Sequence, residues 1–156
     1  MPSITSIISE LKNRFPGIAF KSAGYFCWSA NDKILYYDPS VDNEFERCLL
    51  FHETGHAILK HQHHDTDVQL IKMERDAWEE AKKLAQDFEL DIPDDVIEEC
   101  LDSYRQWLHS RSKCPNCNLT GLQTKHLNYS CAVCNYSWTV NEAKIKALRR
   151  YNKKRT

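Results

Sequence analysis

The stretch His52-Glu53-Thr54-Gly55-His56 decides how the N-terminal part of this 156-residue chain is interpreted. Residues four apart on a helix lie on the same face, so His52 and His56 can present two imidazoles to one metal ion. Glu53 lies about 100° further around the helix, beside that pair. From there it can take a proton from a water molecule and pass it to a leaving amine. The motif therefore predicts a zinc site in which Glu53 is the general base.

The residues around the motif predict a helix from about Asp42 to about Lys60. One stripe at helical spacing contains the two histidines together with Phe45, Cys48, Leu49, Gly55 and Leu59. Histidines in an apolar stripe need partners, because a buried polar group without a hydrogen bond or a metal is costly. Glycine inside a helix costs about 1 kcal/mol relative to alanine. We therefore expect a neighbouring element to approach closely at Gly55.

A catalytic zinc site also needs a third protein ligand and an open position for water. A second helix is predicted from about Val68 to about Phe88, and its geometry discriminates among the carboxylates. At about 100° per residue, Glu74 is centred on the apolar stripe, whereas Glu79 and Glu80 fall outside it and Asp76 points away. The stripe consists of Leu70, Ala77, Trp78, Ala81, Leu84, Ala85 and Phe88. An uncompensated carboxylate there would be expensive, so we expect Glu74 to be the third ligand.

The polar stretch between the two helices contains the rival ligands. His61, His63, His64, Asp65 and Asp67 all lie there, and the composition predicts a loop. The longer pattern that adds a third histidine needs Gly at position 59 and His at position 62, where this chain has Leu and Gln. We interpret the three histidines as part of a solvated loop, with a secondary metal contact or a pH effect as the alternative.

The motif and the helix that follows it resemble the ImmA/IrrE-type metallopeptidases, a small gluzincin-like group. The resemblance covers about residues 1–92 and rests on the motif helix followed by Glu74-x-x-Ala77. It implies a zincin-like core in which the positions matching His52, His56 and Glu74 hold zinc. It also implies proteolysis of intracellular regulators, often transcriptional repressors.

The chain departs from that family at two positions. The family usually has Leu where this chain has Thr54, and Asn where it has Trp78.

Peptidases of this kind commonly hold substrate as an added β-strand, and a β-hairpin predicted over residues 18–37 offers an edge for it. An oxyanion donor is needed as well, and Tyr104 and His61 are among the candidates that stay open.

A second metal site is predicted from two Cys-x-x-Cys pairs. Cys114 and Cys117 form the first pair, Cys131 and Cys134 form the second, and 13 residues separate the pairs. Each pair can supply two thiolates to one tetrahedral zinc. The pattern resembles a zinc ribbon, and four thiolates close the coordination sphere, so this zinc should be structural. A module this small has too little core to fold alone, so metal binding should drive its folding.

The remaining elements complete a predicted α+β fold. We expect a helix over Ser3–Arg14 with Ser3 as its cap, a β-hairpin over residues 18–37 and a further helix from about Asp94 to about Leu108. Residues 110–113 are interpreted as a linker, and a basic helix is predicted from about Asn141. Two domains are expected: a metallopeptidase-like domain over 1–110, and a zinc-ribbon module with a basic helix over 111–156.

Composition sets limits on the class of protein. With 42% hydrophobic and 28% charged residues, the chain matches ordinary globular proteins and not disordered or collagen-like ones. It contains no apolar run near the roughly 20 residues of a membrane span and no signal-peptide pattern at its start, so we expect a cytoplasmic protein. In that reducing compartment Cys27, Cys48 and Cys100, each in an apolar neighbourhood, are interpreted as buried small hydrophobic residues.

Charge is divided unevenly along the chain. Residues 1–110 carry 11 Lys and Arg against 21 Asp and Glu, whereas residues 111–156 carry 10 against one. The basic C-terminal part, with Tyr136 and Trp138 as exposed aromatic residues, could hold nucleic acid. A solvated helix, or docking onto the acidic half of the same chain, is the alternative. The basic residues concerned are Lys144, Lys146, Arg149, Arg150, Lys153, Lys154 and Arg155.

The leading hypothesis from the sequence is a zinc endopeptidase acting on a protein substrate. Two alternatives stay open. A peptidase followed by a zinc ribbon and a basic tail is similar to SprT-like proteases that act on DNA-associated protein, although the third histidine of those proteins is missing between His64 and His109. The other alternative is a catalytically silent module that binds zinc and a partner, against which the intact Glu53 argues.

Overall fold

The computed structural model of the chain describes residues 2–142 and the backbone of residues 150–152. Helices and strands form separate parts of the chain, so the predicted α+β class is confirmed. No helix within these described ranges has the length and apolar composition of a membrane span. The elements are α1 (Ile4–Arg14), β1 (Ala19–Ser22), β2 (Cys27–Ser29), β3 (Ile34–Tyr37), α2 (Glu44–Ile58), α3 (Asp67–Gln86), α4 (Asp94–Ser112), β4 (Leu122–Lys125), β5 (Asn128–Ser130), β6 (Ser137–Val140) and β7 (Arg150–Asn152).

The chain divides into two compact units. The first unit takes the described residues up to His63 together with Lys72–Glu98. The second unit takes His64–Ile71 and the described residues from Glu99 onward. Residues 64–71 and 99–110, which the sequence analysis assigned to the first domain, therefore group with the cysteine-containing residues.

Helix α1 begins and packs as its sequence predicts. The Ser3 hydroxyl accepts a hydrogen bond from the backbone N–H of Ser6, which satisfies one of the unpaired donors at the helix start. The apolar side chains spaced at three and four residues are all buried: Ile4, Ile7, Ile8 and Leu11. The helix thus contributes one apolar face to the core of the first unit.

The predicted hairpin over residues 18–37 is right only in its second half. Strands β2 and β3 pair antiparallel, with Trp28 opposite Leu35. Strand β1 instead pairs in parallel with β3, so the strand order is β1-β3-β2. Ala23 and Gly24 are poor strand formers and interrupt the aromatic-rich stretch. The interruption lets the chain place β1 on the far side of β3.

Helices α2 and α3 meet at two small residues, as predicted. A Cβ atom on Gly55 would lie 2.4 Å from the backbone oxygen of Ala77. Phe51 and Phe88 pack nearby, with ring centroids 5.3 Å apart. Every residue of the stripe predicted for the second helix is buried, although the last one, Phe88, lies beyond the end of α3 at Gln86. The residues are Leu70, Glu74, Ala77, Trp78, Ala81, Leu84, Ala85 and Phe88.

The buried face of α2 differs from the predicted stripe. Phe45 and Leu59, at its two ends, are exposed, while Phe51 and Thr54 outside the stripe are buried. The reason is that α2 packs against both strands β2 and β3 as well as against α3. The Thr54 hydroxyl is satisfied in this core, because it donates to the backbone oxygen of Leu50 at 2.7 Å.

Helix α4 continues through the predicted linker and ends at Ser112. The reason is a contact distant in sequence: Arg111 is buried, and its guanidinium donates to the carboxylate of Asp67 and to the Tyr129 hydroxyl. The same guanidinium lies over the Trp107 ring, 4.4 Å from its centroid. These contacts hold residue 111 in a helical conformation that its neighbours in sequence do not predict.

The four-stranded sheet of the second unit has the order β4-β5-β6-β7. Trp138 is fully buried, stacks on Tyr129 at 5.7 Å and donates its indole N–H to the backbone oxygen of Arg111. The prediction of Trp138 as an exposed aromatic was therefore wrong. Tryptophan suits this position, because its large ring fills the small core and its single N–H has one backbone carbonyl as a partner.

The predicted basic helix from about Asn141 is wrong at residues 150–152. These residues form β7 and pair antiparallel with β6. Without β7, strand β6 would be an edge strand with unpaired backbone N–H and C=O groups. Residues 150–152 pair with these groups through their backbone, so the pairing does not depend on their side chains. Residues 143–149 and 153–156, on which the rest of that helix prediction falls, lie outside the described residues.

Replacing Gly55 by Ala should destabilise the protein even though alanine is the better helix former. The added Cβ would overlap the Ala77 carbonyl, and overpacking of this kind costs about 1–3 kcal/mol. Gly24→Ala is the control, because no atom of the described residues lies within 4 Å of a Cβ there. Urea unfolding should show a lower midpoint for Gly55→Ala only. Equal midpoints for both variants and the parent would contradict the close contact of α2 with α3.

Replacing Arg111 by Met should destabilise the second unit strongly. The variant leaves the Asp67 carboxylate without its cation, and breaking such a pair costs about 3–5 kcal/mol. Lys82→Met is the control, because its ion pair with Asp94 is exposed and should contribute little. Thermal unfolding of the two variants measures the difference, and an Arg111→Met midpoint as high as that of Lys82→Met would contradict the structural role of Arg111.

Candidate metal centres

Two imidazoles and one carboxylate meet in the core of the first unit. The Nε2 atoms of His52 and His56 lie 3.1 Å apart. The Glu74 carboxylate lies 3.0 Å from His52 Nε2 and 3.4 Å from His56 Nε2. Glu74 is only 5% exposed. The structure thus brings together the three residues that the sequence predicted as metal ligands.

The charges of this group depend on one another. Burial favours the neutral form of Glu74, but hydrogen bonds from His52 and His56 outweigh it and hold the pKa of Glu74 well below its usual range. Burial likewise opposes the charged form of His56, but the Glu74 carboxylate raises the pKa of His56. The carboxylate is therefore ionised and needs a positive charge beside it, from a protonated histidine or from a cation.

A bound divalent cation fits these donors. Donor atoms about 2.0–2.1 Å from a tetrahedral zinc are roughly 3.3 Å apart, which matches the separations of 3.0–3.4 Å found here. His52 Nδ1 is buried and has no hydrogen-bond partner among the described residues. An imidazole that binds a metal through Nε2 carries its proton on Nδ1, so both rings would have their lone pairs directed at the shared ion.

Each imidazole is held in place by an aromatic side chain. The Trp78 ring stacks on His52 with centroids 4.1 Å apart and planes at 25°. The His61 ring meets His56, with the two Nδ1 atoms 2.8 Å apart. If His56 directs Nε2 at a metal, its Nδ1–H donates and His61 accepts, which is the orientation expected of a residue supporting a ligand. Burial lowers the pKa of His61, which favours the neutral ring that can accept this hydrogen bond.

His61 reaches this position because of the way α2 ends. The His61 N–H donates to the His56 oxygen and the Lys60 N–H donates to the Ala57 oxygen, with Lys60 in the left-handed region at φ 54°. This is the Schellman arrangement that reverses the chain at a helix end. The predicted loop from His61 to Asp67 is confirmed for residues 61–66, and Asp67 is already the first residue of α3. The prediction that His61 is solvated was wrong, because it is half-buried against His56.

Glu53 faces the same region from the next position on α2. Its carboxylate accepts a hydrogen bond from the backbone N–H of Trp28 at 2.7 Å. Its charge also contributes to raising the pKa of His56, after the effect of Glu74. One carboxylate oxygen is thus held by strand β2, and the residue lies beside the ligand group.

The four cysteines of the second unit also converge. Cys114 Sγ lies 3.6 Å from Cys134 Sγ, and Cys117 Sγ lies 3.5 Å from Cys131 Sγ. Thiolates bound to one tetrahedral zinc at about 2.3 Å are roughly 3.8 Å apart, whereas a disulfide brings the sulfurs to about 2 Å. The sulfurs are therefore spaced for a shared ion and not for disulfides.

The two cysteine pairs sit in matching turns. In each turn the residue after the second cysteine, Asn118 or Asn135, is in the left-handed region and its N–H donates to the backbone oxygen of the first cysteine. Hydrogen bonds from the Asn116 side chain and the Tyr136 backbone lower the pKa of Cys134 to about 6. Donors that stabilise a thiolate favour metal binding, since the thiolate is the ligand.

Other predicted residues lie elsewhere. Cys48 is buried and Cys100 half-buried, whereas Cys27 is exposed on the edge strand β2, contrary to the prediction that it is buried. Of the candidates named for an oxyanion donor, His61 lies beside His56, and Tyr104 lies in the second unit against Trp107. Within the described ranges, the rival carboxylates Asp65, Asp67, Asp76, Glu79 and Glu80 belong to neither convergent group.

The chain was compared with protein-family models, with curated proteins and with solved structures, and nothing in these three comparisons matches it.

The protein should bind two metal ions per chain, one in each group. Glu74→Gln removes the anionic ligand of the first group and should lower the metal content from two ions to one, while Cys134→Ser should remove the other ion. Glu79→Gln, an exposed position on the same helix, is the control and should keep both. Metal analysis of dialysed protein measures this. Two ions in Glu74→Gln would contradict the assignment of Glu74.

Proposed function

We propose that this protein is a zinc-dependent endopeptidase, with one catalytic and one structural zinc ion. The observation that carries the proposal is the group of His52, His56 and Glu74 on adjacent helices, with Glu53 following His52 on α2 and close enough for its charge to act on His56. Two histidines and a glutamate leave a tetrahedral zinc one position for water, as catalytic sites require. The four cysteines leave none, so the second zinc is structural.

The residues around the ligand group have separate roles in this proposal. Zinc bound there supplies a Lewis acid that polarises a peptide carbonyl and makes water more acidic. Glu53 takes the proton from the attacking water with the oxygen that Trp28 does not hold, and delivers it to the leaving amine. His61 and Trp78 keep the two imidazoles in place, so that little reorganisation is needed during the reaction.

The edge of the first sheet suits the binding of a polypeptide. Strand β2 is at the end of the order β1-β3-β2, and the Trp28 N–H is directed at Glu53 and not at β3. A substrate chain that pairs with this edge as an added strand passes Glu53. An extended protein segment is therefore the expected substrate. The resemblance of the motif region to ImmA/IrrE-type enzymes favours a transcriptional regulator.

Nucleic acid binding by the C-terminal part stays a prediction. Trp138 is buried in the core of the sheet and does not offer a surface for stacking. The basic residues Lys144, Lys146, Arg149, Lys153, Lys154 and Arg155 lie outside the described residues, and only the backbone of Arg150 is described. We therefore base the proposal on peptide hydrolysis and not on a role at DNA.

Replacing Glu53 by Gln should abolish proteolysis without removing zinc. Gln keeps the shape and the hydrogen bond from Trp28, but it cannot accept a proton, and general-base catalysis contributes about 10²–10⁴-fold. The assay incubates zinc-loaded protein with a library of peptides from digested bacterial lysate and identifies new termini by mass spectrometry. Glu79→Gln is the control and should cleave as the parent does. Equal cleavage by Glu53→Gln, or none by the zinc-loaded parent, contradicts the proposal.

A further inference from the structure

A cavity of about 560 Å³ lies at the C-terminal end of α2 in the first unit, and His61, which contacts His56, is part of its wall. Its walls are the segment 14–18, strand β2 at Trp28, the turn residues Ala30 and Lys33, and the end of α2 with the loop after it. The volume is in the range of sites that enclose a ligand. None of the roles assigned above to Glu53 or to the ligands uses this space.

The charged residues that line the cavity all have the same sign. Arg14, Lys33 and Lys60 contribute cations, and no aspartate or glutamate is among the described residues that line it. Arg14 is already paired with Asp87 at 2.8 Å. Lys33 and Lys60 have no ion pair within the part of the chain that the structure describes. Residues 1–110 carry almost twice as many acidic as basic residues, so this basic cavity stands out from its surroundings.

Apolar side chains form much of the remaining wall. Phe15, Ile18 and Ile58 line it together with the indole of Trp28, whose N–H is occupied by the backbone oxygen of His61 at 3.0 Å. Such a cavity is complementary to an apolar side chain of a peptide whose neighbouring residues carry carboxylates. The side chain would pack on the apolar wall, and the carboxylates would pair with the cations.

Two residues of the cavity wall also contact residues of the proposed catalytic site. Trp28 lines the cavity, and its backbone N–H holds Glu53. His61 also lines it, and its ring contacts His56. A polypeptide chain running along β2 past Glu53 can therefore direct a side chain into this space.

We propose that the basic cavity binds a large apolar side chain of the substrate and that Lys33 and Lys60 select carboxylates on the residues flanking it. The inference rests on the proposed function in one respect: it identifies the bound polypeptide as the substrate. The preferred substrate segment is then acidic and apolar, of the type Glu-Leu-Glu. The free energy comes from burial of the apolar side chain and from two ion pairs formed at the rim.

The backbone at both lysines permits a test that does not weaken the fold. Lys33 and Lys60 have φ angles of 56° and 54°, in the left-handed region that favours glycine. Lys33→Gly and Lys60→Gly therefore remove the amines and relieve the backbone at the same time. Glu89→Gly is a matched control: Glu89 has φ 56° at the same kind of helix end on α3, and it does not line the basic cavity.

The experiment measures binding without cleavage. Zinc-loaded Glu53→Gln protein is titrated into three labelled peptides with the cores Glu-Leu-Glu, Gln-Leu-Gln and Glu-Ser-Glu in the same Gly-Ser sequence, and fluorescence anisotropy gives the Kd values. We expect the first peptide to bind about tenfold more tightly than the second, because two surface ion pairs are lost in the second. The third should also bind more weakly, and added salt should reduce the preference for the first.

The lysine variants determine where that preference arises. Adding Lys33→Gly and Lys60→Gly to the Glu53→Gln protein should abolish the preference for Glu-Leu-Glu, whereas adding Glu89→Gly should leave it intact. Equal binding of the charged and amide peptides, or a preference that survives loss of both lysines, overturns the inference.

Cleavage by the zinc-loaded parent protein separates this inference from the proposed function. Cleavage with no preference among the three peptides would support the endopeptidase and overturn the role of the basic cavity. Selective, lysine-dependent binding without cleavage of any peptide would retain the cavity as an acidic-peptide site and contradict the endopeptidase.

Discussion

The Glu74 carboxylate in the core of the first unit is the constraint on which the rest of that unit depends. Two imidazole nitrogens lie within 3.4 Å of it, and the whole group is buried. Bringing α3 close enough requires the contact of Gly55 with Ala77, which leaves no room for a side chain between the helices. The helix end at Lys60 and the ring of Trp78 then fix the two histidines. The local structure is thus arranged around a charge that must be compensated.

The second unit is small, so its apolar core is small as well. Its sheet surrounds Trp138 and Tyr129, and the buried guanidinium of Arg111 links α4 to the sheet through Tyr129 and to Asp67. Four cysteine sulfurs are spaced for one ion, which would crosslink the two turns that carry them. A metal bound there would compensate for the small apolar area that so few residues can bury.

The parts that the sequence predicted are those set by local periodicity. The stripe on α3 and the position of Glu74 in it follow from the helical repeat, because a long amphipathic helix has only one way to bury its apolar face. The pairing of β1, the extension of α4 and strand β7 depend on contacts between residues far apart in the sequence, which periodicity does not encode. His61 was assigned to a solvated loop because its position depends on Lys60 adopting a left-handed conformation, for which glycine is the usual signal.

A crystal structure of the zinc-loaded protein, with anomalous data collected at the zinc edge, would show whether the buried carboxylate holds a metal. Two anomalous peaks per chain are expected. One should lie about 2.0–2.2 Å from His52 Nε2, His56 Nε2 and a Glu74 oxygen, and the other at the centre of the four cysteine sulfurs. A single peak at the cysteines, with Glu74 paired only to protonated histidines, would contradict the claim that this carboxylate is buried to hold a metal.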